Sequence, residues 1–126
     1  MIMTTTQLEV HLNDRLAYFC KMFGENRVDE LVKNFYTDDA VIEGPGLPVQ
    51  RGHAAIQAIF GEARKAYKGI EITMDPLVHP DQTLAYGFIT NRNIRNDDVI
   101  EIHRAHIVWR KVDDNWLCQT DFFFIP

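Results

Sequence analysis

The spacing of apolar residues changes once along the chain, between residues 67 and 70. Before this point apolar residues recur every three or four positions, as in an α-helix, whereas from Ile70 onward they alternate with polar residues, as in a half-buried strand. Helices first and an antiparallel run of strands last are typical of an α+β fold. We therefore expect three N-terminal helices packed on a curved, mostly antiparallel sheet.

The three helices are predicted from their apolar stripes and their end signals. The first begins at a capping box, in which Thr6 is followed three residues later by Glu9, and it ends at Gly24. Its apolar stripe consists of Leu8, Leu12, Leu16, Phe19 and Phe23. The second helix covers about residues 28–35, and the third covers about residues 53–67.

Short acidic or proline-containing turns separate the predicted strands. Four strands are expected in the alternating region, near residues 70–75, 83–95, 99–112 and 116–124. A short strand at 40–43 comes earlier, between a turn at Asp38–Asp39 and a Gly/Pro loop at 44–48. The two aspartates are expected to hold that turn by bonding to backbone amides, rather than to form a catalytic pair.

The faces of the last two strands follow from where their turn is placed. If Asp114–Asn115 is a two-residue turn, Ile107 lies opposite Phe122. The mostly apolar set that then faces the helices is His103, Ala105, Ile107, Trp109, Cys118, Thr120, Phe122 and Phe124. The other face, which includes Asp121, points outward. A single bulge would invert the faces beyond it.

A turn at Asp97–Asp98 extends the inner face to the preceding strand. The residues that it adds are Tyr86, Phe88, Thr90 and Arg92. Arg92 then lies opposite His103, and the pair would form a small cationic patch suited to a carboxylate or enolate oxygen. The alternative is that Arg92 is a surface side chain beyond the end of the sheet.

Two residues are candidates for acid–base chemistry. His103 lies on the otherwise apolar face, where an imidazole can shuttle a proton, and its alternative role is that of a hydrogen-bonded histidine at the rim of the barrel. Glu43 ends a strand beside the Gly/Pro loop, although its place in the alternation points it outward. Tyr18 could offer a hydroxyl to a ligand, with ordinary packing as the alternative. Because His103 and His106 point to opposite faces, no metal site is expected.

The composition narrows the possible partners. With 126 residues, of which 46% are hydrophobic and 25% charged, the chain is expected to form one domain over residues 1–126. Its net charge is −5 and its basic residues are scattered, so no nucleic-acid surface is expected. No apolar run approaches the roughly 20 residues that span a bilayer. Since the first residues also lack the features of a signal peptide, we expect a cytoplasmic protein without membrane contact.

Residues 34–60, NFYTDDAVIEGPGLPVQRGHAAIQAIF, contain a helix end, a Y-x-D-D-A motif, a strand, a loop and a G-x-x-A-I helix start. This order resembles the nuclear-transport-factor-2-like superfamily, and the ending WRKVDDNWLCQTDFF is similar to the last two strands of that superfamily. The chain most resembles its SnoaL-like and ketosteroid-isomerase-like branch. The resemblance implies a cystatin-like, cone-shaped barrel with a pocket for a small hydrophobic molecule, and a homodimer packed through the sheet.

The resemblance does not extend to the active site of the ketosteroid isomerases. Alignment on the Y-x-D-D-A motif sets Gly44 where those enzymes carry their proton-abstracting Asp. Ile107 stands at the position of their protonated oxyanion Asp, and Phe19 stands near that of their oxyanion Tyr. We therefore expect a reaction other than ketosteroid isomerisation.

We expect instead a pocket protein that resembles the cofactor-free isomerases, cyclases and dehydratases of this branch and acts on an apolar or carboxylate-bearing small molecule. The expected catalytic residues are His103 and Glu43. The expected ligand-binding residues are Tyr18, Tyr86, Phe88, Thr90, Arg92, Ile107, Trp109, Thr120 and Phe122. A non-catalytic ligand-binding or dimerisation domain, or an assembly module of the same fold, is the alternative, so enzymatic activity stays an open question at this point.

Overall fold

Three helices pack on one curved sheet in the computed structural model, which describes residues 2–126. The helices are α1 (Thr5–Gly24), α2 (Val28–Phe35) and α3 (Gly52–Ala66). The strands are β1 (Tyr36–Gly44), β2 (Leu47–Arg51), β3 (Tyr67–Met74), β4 (Val78–Asp81), β5 (Leu84–Arg95), β6 (Ile100–Val112) and β7 (Asn115–Phe124). This arrangement confirms the predicted α+β, cone-shaped fold.

The first helix forms around its predicted stripe, but its cap lies two residues earlier than predicted. The buried residues of the stripe are Leu8, Leu12, Leu16, Phe19 and Phe23. Thr4 and Gln7 form the capping box. The backbone amide of Thr4 donates to the side chain of Gln7 at 2.9 Å, and the backbone amide of Gln7 donates to the side chain of Thr4 at 3.1 Å. The predicted partner of Thr6, Glu9, instead accepts a 3.0 Å hydrogen bond from the backbone amide of Leu77 and ties α1 to the connection between β3 and β4.

The strand order in the sheet is β2-β1-β7-β6-β5-β3, and β4 pairs with β5. All pairings are antiparallel except that of β1 with β7, which is parallel. Two predicted details are wrong. Asp38–Asp39 belongs to β1 rather than to a separate turn, and residues 47–51 form β2 instead of continuing the loop. Both aspartates are exposed at an irregularity of β1 between Tyr36 and Val41.

The turn between β5 and β6 differs from the predicted one and shifts the register by one residue. It spans residues 95–99, is closed by a 2.8 Å backbone hydrogen bond between its first and last residues, and holds Asp98 at a left-handed φ of 71°. Asn91, rather than Arg92, therefore lies opposite His103. The side chains that this shift moves to the outer face are Tyr86, Phe88, Thr90 and Arg92. Their predicted inward orientation is wrong.

Strand β7 contains one more residue than the matching part of β6. The pair Trp109–Cys118 is followed by the pair Val108–Thr120, so Gln119 has no partner on β6 and forms a bulge. On the turn side of this bulge, Trp109 and Cys118 are fully buried, in agreement with their predicted inner positions.

Beyond the bulge the two faces of β7 are exchanged. Asp121 lies opposite Ile107 and faces inward together with Phe123, whereas Phe122 is 43% exposed. The residues predicted on the wrong face are Thr120, Asp121, Phe122, Phe123 and Phe124. The extra residue explains the error, because a shift of one position reverses every side chain that follows.

The end of β1 depends on glycine because the ring of Phe123 covers Gly44. A Cβ on Gly44 would come within 2.4 Å of that ring. We expect Gly44→Ala to lower the free energy of unfolding by about 1–3 kcal/mol, because the ring has to leave a packed site. Urea unfolding measures the change.

The matched control is Gly61→Ala in α3, where an added Cβ meets nothing within 4 Å. Alanine is favoured over glycine inside a helix by up to about 1 kcal/mol, so this variant is expected to be as stable as wild type or more so. Equal stability of Gly44→Ala and wild type would show that Phe123 does not occupy the space beside Gly44.

Candidate functional site

An open cavity of about 170 Å³ lies between the helices and the inner face of the sheet. The helical part of its wall includes Leu16, Phe19, Phe23, Ile59, Phe60 and Ala63. Strands β1, β3, β5, β6 and β7 supply the remainder, again mostly with isoleucine and aromatic side chains. A lining of this kind excludes charged solutes and suits a small apolar molecule.

The polar groups in the wall all come from the sheet. They are Tyr36, Tyr67, Asn91, Asn93, His103 and Asp121. Among residues 2–126, Asp121 is the one carboxyl in the cavity wall. These groups decide what the cavity can do chemically, because the apolar remainder can bind but cannot transfer protons.

Asp121 and Tyr36 form a hydrogen-bonded pair at the wall. The hydroxyl of Tyr36 donates to Oδ2 of Asp121 at 3.1 Å. Burial raises the pKa of the Asp121 carboxyl to about 6, and the hydrogen bond from Tyr36 offsets part of that rise. Asp121 nevertheless has intermediate solvent exposure because it borders the open cavity. The carboxyl is therefore reachable from the cavity and exchanges its proton near neutral pH.

Tyr36 is a fixed hydrogen-bond donor in this pair. It is 1% exposed, and burial together with the nearby Asp121 raises its pKa well above 10. The phenol therefore keeps its proton while the carboxyl of Asp121 gains or loses one. The ring of Tyr36 is held against Phe35, with centroids 5.1 Å apart, so the hydroxyl has little freedom to turn away.

The neighbouring thiol of Cys118 is not a nucleophile. Cys118 is fully buried, and burial followed by the charge of Asp121 raises its pKa well above the usual value. Its thiol donates to the backbone carbonyl of Thr120 at 3.5 Å. The sulfur thus stays protonated and serves as packing behind the carboxyl.

His103 and two asparagines form a second polar group in the wall. The side-chain nitrogen of Asn93 lies 3.1 Å from Nδ1 of His103 and donates to it, which leaves the proton of the neutral ring on Nε2. The ring stacks on Phe123, with centroids 6.0 Å apart. Asn91 lies opposite His103, and its Oδ1 is buried without a hydrogen-bond partner.

A third polar contact lies beside the second. The hydroxyl of Tyr67 donates to Glu101, which Arg95 also holds at 2.9 Å. The hydrogen bonds from Tyr67 and then Arg95 lower the pKa of the Glu101 carboxyl, and the same contact raises the pKa of Tyr67. Glu101 is thus an ionised carboxylate whose oxygens already have partners.

Of the residues predicted to form the site, His103 and Ile107 lie in the cavity wall. Trp109 is fully buried behind it, against Phe35 at 5.4 Å. Tyr18 accepts a 3.2 Å hydrogen bond from Asn34 outside the wall. The remaining predicted residues also lie outside the wall: Glu43, Tyr86, Phe88, Thr90, Arg92, Thr120 and Phe122. Catalysis by His103 or Glu43 stays a prediction.

Sequence reasoning missed Asp121, Tyr36, Asn91 and Asn93. The signal for Tyr36 was present, because it opens the Y-x-D-D-A motif, but that motif indicated the fold and the position of Gly44 rather than a role for Tyr36 in the site. Asp121 and the asparagines depended on the exact turn length and on the bulge at Gln119, which no glycine or proline marks.

The described part of the chain shows neither a metal cluster nor a membrane helix. Within residues 2–126, no three His, Cys, Asp or Glu side chains come together so that they could hold a metal ion. In the same range, no helix is long and apolar enough to cross a bilayer.

Comparison with known proteins identifies the family. The sequence model of the SnoaL-like domain matches residues 16–118. The chain belongs to the SnoaL-like domain family. This match confirms the resemblance inferred from the sequence. No curated protein matches this SnoaL-like chain significantly in sequence.

Solved structures with the same fold are distant in sequence. A nuclear-transport-factor-2-like protein of unknown function from Pseudomonas putida is 18% identical, with a TM-score of 0.77 over 100% of this chain and 90% of that one. A ketosteroid-isomerase-like protein from Erwinia carotovora atroseptica is 14% identical, with a TM-score of 0.72 over 89% and 91%. A protein from Novosphingobium aromaticivorans, provisionally described as a scytalone dehydratase, is 14% identical, with a TM-score of 0.70 over 94% and 85%. At these identities they show the fold alone.

Burial of Asp121 makes stability depend on pH. Its pKa is about 6 in the folded chain and about 3.9 when unfolded, so between these values the folded state binds more protons and stability falls as pH rises. Asp121→Asn lacks this dependence. Its stability relative to wild type should therefore rise by about 2–3 kcal/mol between pH 4 and pH 7, as measured by urea unfolding.

The comparison variant is Glu43→Gln, which removes a carboxylate of β1 outside the cavity wall. This variant shows how the loss of one carboxylate outside the cavity changes the free energy of unfolding at each pH. A stability difference between Asp121→Asn and wild type that is the same at pH 4 and pH 7 would contradict the burial of the carboxyl.

Proposed function

We propose that this chain is a cofactor-independent acid–base enzyme that moves a proton on a small, neutral and mainly apolar molecule. The observation that carries this proposal is the carboxyl of Asp121, whose pKa is raised to about 6 in the wall of an apolar cavity. A group that exchanges its proton near the working pH is the one that general acid–base catalysis requires.

In the ionised form, Asp121 can take a proton from a carbon beside a carbonyl group. The C–H electron pair then moves into the carbonyl to form an enolate, and the proton resides on the carboxyl. Where the substrate also has a double bond next to that carbon, the enolate extends over it, and return of the proton to the far carbon of the double bond completes an isomerisation and restores the carboxylate without any co-reactant. In the protonated form, the same group can donate to a leaving hydroxyl, which is the acid step of a dehydration. The fixed hydroxyl of Tyr36 orients the carboxyl in both cases.

The position of the base differs from that of the ketosteroid isomerases. The resemblance set Gly44 at the position of their base, and Phe123 fills the space that a side chain at Gly44 would need. Ile107, at the position of their oxyanion Asp, cannot donate a hydrogen bond. In this protein the base would thus be Asp121 on β7, instead of a residue at the end of β1. Isomerase, cyclase and dehydratase reactions fit this arrangement, and a provisionally described dehydratase shares the fold.

A simple ketone tests the proton transfer. With 4-phenylbutan-2-one in D2O, wild type should speed the exchange of the protons beside the carbonyl for deuterium, as followed by 1H NMR. The rate should rise with pH up to about 6 and then level off, because the carboxylate is the base. Asp121→Asn should lower it by about 100-fold or more.

The competing candidates are tested in the same assay. Glu43→Gln is expected to exchange at the wild-type rate because Glu43 lies outside the cavity wall. The variant His103→Gln tests whether His103, rather than Asp121, is the base in this exchange. Full activity of Asp121→Asn, or a larger loss in either other variant, would remove Asp121 from the role of base. Binding of the ketone without any exchange would favour the alternative, a ligand-binding domain without catalysis.

We also propose that the chain, which we infer to be cytoplasmic, forms a homodimer through the outer face of the sheet. That face carries an exposed aromatic patch, in which Phe88 is 42% and Phe122 is 43% exposed. His106 lies between Tyr86 and Phe88. The centroid of its ring is 5.8 Å from that of Tyr86 and 5.0 Å from that of Phe88. A second copy of the same patch would cover these rings, as expected for a self-complementary interface.

Phe88→Glu tests the dimer, because a carboxylate in the centre of the patch opposes its burial. Light scattering at micromolar concentration should give a dimer for wild type and a monomer for this variant. The control is Val49→Glu on β2, where valine is 49% exposed outside the patch. A monomeric wild type, or a dimer that survives Phe88→Glu, would exclude this interface.

A further inference from the structure

We propose that the cavity recognises a neutral molecule with a hydroxyl group at the end remote from the reacting carbon, and that Asn91 and His103 bind this hydroxyl. The position of the reacting carbon rests on the proposed function, whereas recognition of the hydroxyl does not. Three features of the wall support this inference: the separation of its polar groups, their free hydrogen-bonding capacity, and, among residues 2–126, the lack of a lysine or arginine in the wall.

The carboxyl of Asp121 and the side chain of His103 lie far apart along the strands. Asp121 pairs with Ile107 on β6, and His103 precedes Ile107 by four residues on the same strand. At 3.3 Å per residue this separation is about 13 Å along the strand. The ring of Phe123 fills part of the wall between them and stacks on His103. A ligand that touches both groups is therefore elongated, with an apolar middle and an oxygen at each end.

The hydrogen-bonding capacity at the His103 end fits a hydroxyl. Because Asn93 donates to Nδ1, His103 has a donor at Nε2, which has no partner among the described residues. Asn91 makes no side-chain hydrogen bond within the described chain, and its Oδ1 is a buried acceptor without a partner. The last torsion of asparagine is soft, so a small rotation turns the amide toward a ligand. The oxygen of a ligand hydroxyl can accept a hydrogen bond from Nε2 of His103, and the same hydroxyl can donate one to Oδ1 of Asn91. Both protein groups then have a hydrogen-bond partner.

The charges around the cavity disfavour a carboxylate at this end. No lysine or arginine lies in the cavity wall among residues 2–126. Arg95 is bonded to Glu101, and Arg92 lies on the outer face, 3.6 Å from Glu71. The carboxylate-bearing ligand expected from the sequence depended on an inward Arg92 and therefore loses its basis. An anion would lose its water without gaining a cation.

Four related ketones test the recognition by calorimetric titration of wild type. They are 4-phenylbutan-2-one and its derivatives with a para hydroxyl, a para methoxy or a para carboxylate group. The hydroxyl compound should bind about tenfold more tightly than the unsubstituted one, since two hydrogen bonds are gained. The methoxy compound should lose most of that gain because it cannot donate, and the carboxylate should bind most weakly. Equal Kd values for the hydroxyl and unsubstituted compounds, or tighter binding of the carboxylate, would overturn the proposal.

Two variants locate the hydroxyl. Asn91→Leu has a similar shape and should reduce the preference for the hydroxyl compound to about twofold or less, whereas Asp121→Asn should retain it. Loss of the preference in Asp121→Asn with retention in Asn91→Leu would overturn the assignment. If a variant does not fold, the comparison of the four ketones on wild type still tests whether the cavity prefers a hydroxyl group. A hydroxyl preference without deuterium exchange would contradict the proposed function alone, and exchange without a preference would contradict this inference alone.

Discussion

The single unpaired residue in β7 is the constraint on which the site depends. Gln119 has no partner on β6, so Cys118 points into the core on one side of the bulge and Asp121 on the other. A regular strand would keep Cys118 inside but turn Asp121 outward, and Phe122 would then enter the cavity. Among the described residues, the wall of the same cavity would then contain no carboxyl. One extra backbone residue thus brings a titratable carboxyl into the cavity wall.

The inward carboxyl has an energetic cost that the surrounding packing offsets. Ionisation of Asp121 in the folded chain is disfavoured by about 2–3 kcal/mol, which is a large part of the stability of a typical domain. The hydroxyl of Tyr36 reduces this cost, and the ring of Phe123 seals the wall by resting on Gly44. The inward carboxyl of Asp121 and the ring that covers Gly44 therefore belong to the same strand, and substitutions in either should affect both stability and the site.

The sequence was sufficient for the elements of the fold but not for the orientation of the strands. The stripe of α1 was predictable because burial repeats with the helical period, and Trp109 was predictable because its strand is regular up to the turn. The inward faces of β5 and the end of β7 were not. They depend on the left-handed backbone of Asp98 and on the bulge at Gln119, and neither residue is a glycine that would mark the change. The contact of Tyr36 with Asp121 joins strands at opposite ends of the chain, which local patterns do not encode.

The properties of the site depend on the carboxyl of Asp121, which is held in the cavity wall in contact with Tyr36. The most direct test is a 13C NMR titration of the Asp121 side-chain carboxyl in wild type and in Tyr36→Phe. We expect a midpoint near pH 6 in wild type, and a higher midpoint in Tyr36→Phe because a hydrogen bond to the carboxylate is lost. A midpoint near 4 that Tyr36→Phe leaves unchanged would contradict this expectation, since Asp121 would then be an ordinary carboxylate in contact with water.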